Sequence, residues 1–105
     1  MEKMYFTIAG MGHYYGNEFM ETGMELKLVK DPDNEADKEA IKVELEGLGL
    51  IGYVANSPYT VMGESMSAGR LYDKIADETV GIVKYKLPRG VLCEIKTAEA
   101  VNAEQ

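Results

Sequence analysis

A chain of 105 residues, 46% of them hydrophobic, suffices for one folded domain with a single core and is too apolar for disorder. It holds no apolar run long enough to cross a membrane, and Met1-Glu2-Lys3-Met4-Tyr5 leads into no signal-peptide stretch, so a cytoplasmic protein is expected. One cysteine and one histidine exclude an internal disulfide and an ordinary four-ligand zinc site, while 18 acidic against 11 basic residues, net charge −7, lack the basic excess with which nucleic-acid binders usually neutralise phosphate.

Met4 to Ala9 is rich in β-formers and predicts a first strand. The glycines of Gly10-Met11-Gly12-His13-Tyr14-Tyr15-Gly16 predict bulges or close backbone approach. If that segment is extended, Tyr14 and Tyr15 face opposite sides and only one can enter the core. Met24–Leu28 and Ile41–Glu46 alternate apolar and charged residues, as half-buried strands with one wet face do. Between them Asp31-Pro32-Asp33-Asn34-Glu35-Ala36-Asp37 is a dense turn signal.

Glu46-Gly47-Leu48-Gly49 predicts a hairpin loop into a strand over Leu50–Val54. Asn56-Ser57-Pro58 predicts a helix start, with a capping residue and proline at the first helical position, running through Met62 towards Ser65. Gly69 argues against one long helix, leaving Ser67–Lys74 as a second short helix or a loop. Thr79–Leu87 and Val91–Ile95 predict the last two strands, joined by a tight hairpin at Pro88-Arg89-Gly90. Cys93 shares an apolar strand face with Val91 and Ile95 and is expected in the core. Hairpin-linked strands with a helical insertion predict a mainly β fold, a small closed or nearly closed antiparallel barrel, because closure removes exposed edges. The domain is expected over residues 1–97, with 98–105 a frayed tail.

Three stretches together resemble the HIRAN domain family. They are Gly10–Gly16 with its paired aromatics, Leu28–Val43 with its basic residue, acidic-proline turn, Asn and Asp-x-x-Ala-Ile-x-Val, and Leu50-Ile51-Gly52-Tyr53-Val54. The resemblance implies a six-stranded, OB-like barrel with one or two short helices inserted before the last two strands. It implies recognition of single-stranded DNA 3′ ends in DNA repair or replication, alongside a helicase- or nuclease-like protein partner. Carried over by position, Tyr14 and Tyr15 stack on terminal bases, while Asp37 and Asn34 contact the terminal sugar. His13 stands where DNA-binding members carry Arg, Ala36 where they carry an aromatic residue, and Asn56 where they carry Lys. His13 and Arg70 are the candidate phosphate contacts. The stacking physics is sequence-tolerant, and a carboxylate accepts a hydrogen bond from a free hydroxyl but repels a terminal phosphate.

Two rival readings come from the residues. The acidity favours a protein-interaction module of the same fold, docking through an acidic face or an open strand edge without DNA. Asp33, Asp37 and Glu39 are the only support for a metal-dependent hydrolase, and no phosphate loop or nucleophile motif accompanies them, so no catalysis is expected. Asp31-x-Asp33-x-Glu35-x-Asp37 mimics alternating calcium ligands. Ala36 and Lys42 occupy the positions where an EF-hand needs Gly and Glu, so neither metal nor cofactor is expected.

Overall fold

Alternation decides the architecture. In β2 (Glu25–Lys30) Leu26 and Leu28 are buried between exposed Glu25 and Lys27, and in β3 (Ile41–Leu45) Ile41 and Val43 are buried between half-buried polar residues. The computed structural model describes residues 3–88 and 90–96, so Arg89 and the expected tail, 98–105, lie outside the described residues. With β1 (Tyr5–Ala9), β4 (Gly49–Val54), β5 (Glu78–Leu87) and β6 (Gly90–Ile95), the strands close into an antiparallel barrel ordered β1-β4-β3-β2-β5-β6. Phe6, Ile8, Leu28, Ile41, Val43, Ile51, Val83, Val91 and Cys93 fill its interior. Irregular register at Val43/Glu44 and at Val83/Tyr85 bends β3 and β5, as a small barrel requires.

The β1–β4 seam is short. Only Ile8↔Val54 and Ala9↔Tyr53 pair across it. Gly52 makes that approach possible: a Cβ there would stand 2.8 Å from Ile8 Cγ2 and 2.9 Å from the Ala9 carbonyl oxygen. Beyond the seam the connection from Ala55 to Met66 takes over the free side of β1. The Ala55 N–H donates to the Thr7 carbonyl at 2.8 Å and the Met66 N–H to the Tyr5 carbonyl at 2.7 Å. Thr7 faces away from Phe6 and Ile8, yet it is buried beneath this connection. Its Oγ1 accepts the Met62 N–H at 3.1 Å and lies 2.9 Å from Ser65 Oγ. Ser65 Oγ donates to the Met62 carbonyl at 2.7 Å, so the Thr7 hydroxyl proton goes to Ser65.

These tethers correct the predicted helix at Pro58. Ser57–Thr60 makes one turn only, because Met62 and Met66 bond β1 instead of continuing a helical ladder. The helix is the later segment, α1 (Ala68–Tyr72), whose N-cap Ser67 accepts the Arg70 N–H at 3.3 Å. Ala68 and Leu71 join the core. The glycine-rich segment is also corrected, since Met11–His13 form a 3₁₀ turn rather than a bulged strand.

Gly52→Ala is expected to cost about 1–3 kcal/mol, read from the urea unfolding midpoint, because backbone lies in the way of the added carbon. Burial pushes the Cys93 thiol up from 9.0 to about 12. Native protein should therefore alkylate at Cys93 only on unfolding. The neutral thiol is favoured in the fold, so this contribution is complete below pH 9.0 and is lost as pH rises towards about 12. Denaturation midpoints of the wild type and Cys93→Val across that range check the sign, since the valine chain lacks this part of the slope.

Candidate functional site

The Asp31–Asp37 turn is fixed by its own side chains. The Asn34 N–H donates to the Asp31 carbonyl at 3.1 Å, and Asn34 Oδ1 accepts the N–H groups of Ala36 at 2.9 Å and Asp37 at 3.0 Å. Asn34 Nδ2 donates to Asp31 Oδ2 at 3.2 Å. Asp37 is half-buried, and its Oδ1 accepts the Glu39 N–H at 2.9 Å. Its Oδ2 accepts from Asn56 Nδ2 at 2.8 Å, while Asn56 Oδ1 accepts the Gly69 N–H at 2.9 Å. One line of hydrogen bonds thus runs from the turn, through a carboxylate and an amide, to the first turn of α1. The carboxylate needs a donor and the N–H an acceptor, which fixes the amide's orientation. Gly69 keeps this junction open, because a Cβ there would stand 2.5 Å from Glu39 Oε1.

Asn34, Asp37, Asn56 and Tyr53 wall a depression of about 450 Å³ against the end of β4. That volume lies in the range of small-ligand sites. Asp37 is the only charged side chain in its lining. Tyr53 is half-buried, and its phenol is pushed above its ordinary value first by that burial, then by the nearby Tyr14 and Asp31. Tyr14, 41% exposed, stands near Tyr53. Lys42 faces Tyr53 across β3–β4. Tyr53 thus has a basic and an acidic residue for neighbours.

Of the residues singled out from sequence, Asp37 and Asn34 line the depression, and Tyr14 stands near its Tyr53. Tyr15 reaches elsewhere: its hydroxyl, on a ring 56% exposed, donates at 3.4 Å to the Leu48 carbonyl, just before β4. His13 ends the 3₁₀ turn, exposed beside Tyr14. Arg70 is exposed on α1 and lines a neighbouring depression that shares Asn56 and Ser57 with the first. Two basic residues of the last hairpin are held elsewhere: Lys84 pairs with Glu94 at 3.7 Å, and Lys86 Nζ donates to the Glu18 carbonyl at 2.8 Å. Tyr53 and the bridging role of Asn56 are additions of the structure. The outward polar tip of Tyr53, between buried Gly52 and Val54, was the available signal for the first. Among the described residues no three His, Cys, Asp or Glu side chains gather as a metal-holding group.

Residues 1–86 match the HIRAN domain family. The chain belongs to the HIRAN domain family. HIRAN domains are nucleic-acid-binding modules. Two solved structures share the fold. The HIRAN domain of human HLTF matches with a TM-score of 0.59 at 21% identity, over 89% of this chain and 74% of that one. A protein from Lactobacillus plantarum matches with a TM-score of 0.55 at 20% identity, over 90% of this chain and 93% of that one. No curated protein matches the chain.

Asn56→Ala leaves both Asp37 Oδ2 and the Gly69 N–H without this partner. It is expected to lower stability by about 1–2 kcal/mol in denaturant titration and to speed amide exchange at Gly69.

Proposed function

We propose that this HIRAN domain binds the 3′ end of single-stranded DNA in the 450 Å³ depression, in a DNA repair or replication setting in the cytoplasm. One observation carries the reading: a preformed cleft with a phenol in its wall, a second phenol near the first, and a carboxylate at its side. The terminal base stacks between Tyr14 and Tyr53. Asp37 accepts the terminal hydroxyl's proton through a lone pair not used by Glu39 or Asn56. Asn34 contributes by holding Asp37 in place, since its own oxygen already serves two backbone N–H groups. Arg70 and His13 meet phosphates on either flank, and Tyr15 serves bases further along.

The sparse charge of the lining bears on the charge problem. A chain of net charge −7 repels DNA at long range, but salt screens that beyond ~8–10 Å. The terminal contacts here are stacking and hydrogen bonds, which salt weakens little. With two candidate cations, binding should fall by roughly one to two powers of the salt concentration rather than steeply.

The protein-docking reading retains its acidic face, in exposed Asp33 and Glu35 beside the cleft. Closure of the ring takes away the open strand edge it would otherwise use, since each of the six strands has two neighbours. A helicase- or nuclease-like partner on that face is compatible with a DNA end in the cleft.

The test is a low-salt anisotropy titration with labelled single strands ending in 3′-hydroxyl or 3′-phosphate, and with a blunt duplex. The free hydroxyl should bind tightest. Tyr14→Ala should weaken it about 5- to 50-fold. Asp37→Asn should narrow the preference over 3′-phosphate. Absence of binding to all three ligands would rule the reading out in favour of protein docking.

A further inference from the structure

Across Gly10 from the first cleft lies a second depression, of about 340 Å³, sharing Ala9 and Gly10 with it. Among the described residues that line it, no side chain is charged. In an acidic chain that is a stretch of surface where a phosphodiester backbone meets no carboxylate. Nothing lies within 4 Å of the place a Cβ on Gly10 would occupy, so the ridge between the two depressions is low and open.

Tyr59 stands in the wall of the second depression and is 88% exposed. Its ring adds almost no burial to the fold, yet its backbone is tightly held. Its N–H donates to Ser57 Oγ at 3.1 Å, and the N–H groups of Thr60 and Val61 both reach the Ser57 carbonyl at 2.9 Å. Three residues on, Met62 is bonded to Thr7 of β1 at 3.1 Å. An aromatic side chain offered to water from an anchored turn, beside an uncharged groove, is the arrangement a stacking platform needs.

We propose that the second depression takes nucleotides on the 5′ side of the terminal one, with Tyr59 stacking on a base and the strand crossing from the first cleft over Gly10. The ligand is single-stranded DNA, because only unpaired bases offer their faces to an isolated ring. The inference rests on the 3′-end reading of the first cleft and adds a second subsite to it.

The test compares a hexanucleotide with a free 3′-hydroxyl, followed by anisotropy, and a nucleoside 5′-monophosphate, followed by NMR shift titration, on the full chain. Tyr59→Ala is expected to weaken the hexanucleotide about 5- to 50-fold and to leave the mononucleotide unchanged, while Tyr59→Phe preserves both. The exposure of Tyr59 makes loss of folding an unsuitable explanation for such a result, and a circular dichroism melt checks it. An unchanged hexanucleotide affinity in Tyr59→Ala, equal weakening of both ligands, or a Tyr59→Phe as weak as alanine overturns the second subsite and leaves the terminal cleft standing. A wild-type chain that binds neither ligand overturns the 3′-end reading, and this inference with it.

Discussion

The closure of the ring between β1 and β4 is the constraint on which the rest depends. Two residue pairs span that seam, and Gly52 allows them only because it has no side chain to strike Ile8 and the Ala9 carbonyl. The unpaired remainder of β1 must still satisfy its backbone, and the chain after β4 does so through Ala55 and Met66. Both depressions open where the short seam ends, at Ala9 and Gly10. The place for a ligand is thus a product of how the barrel closes.

Electrostatics then shapes the terminal cleft. Its one carboxylate, Asp37, is countered by a neutral amide and a backbone N–H rather than by a cation. A fixed positive charge would attract any phosphate, terminal or internal. The amide–carboxylate arrangement instead favours a hydroxyl donor and disfavours a second anion at close range. Among the described residues no buried side-chain nitrogen or oxygen lacks a partner, so this polar network does not burden the fold with unsatisfied groups.

Strand positions were readable in the sequence because burial on one face writes a period of two into β2 and β3, and because Cys93 keeps phase with Val91 and Ile95. The turn chemistry of Asn34 and Asp37 was readable as well, since their bonds are to near neighbours. What failed was local reasoning about segments with distant partners. Asn56-Ser57-Pro58 carries a sound helix-start signal, but Thr7, some fifty residues away, takes the Met62 N–H at 3.1 Å. Asn56 reads as part of a helix start or as a missing lysine, and only the fold sets it between Asp37 and Gly69. The separate destinations of the tyrosine pair, Tyr53 for Tyr14 and the Leu48 carbonyl for Tyr15, are likewise set by partners distant in sequence.

The Thr7–Ser65–Met62 knot has a consequence for how any visitor is received. Residues 55–66 carry almost no regular structure, but a buried hydroxyl relay and two backbone links make them masonry. Such a wall need not freeze when something docks against it. Encounter is therefore ungated, and little of the contact energy is diverted into stilling a loop.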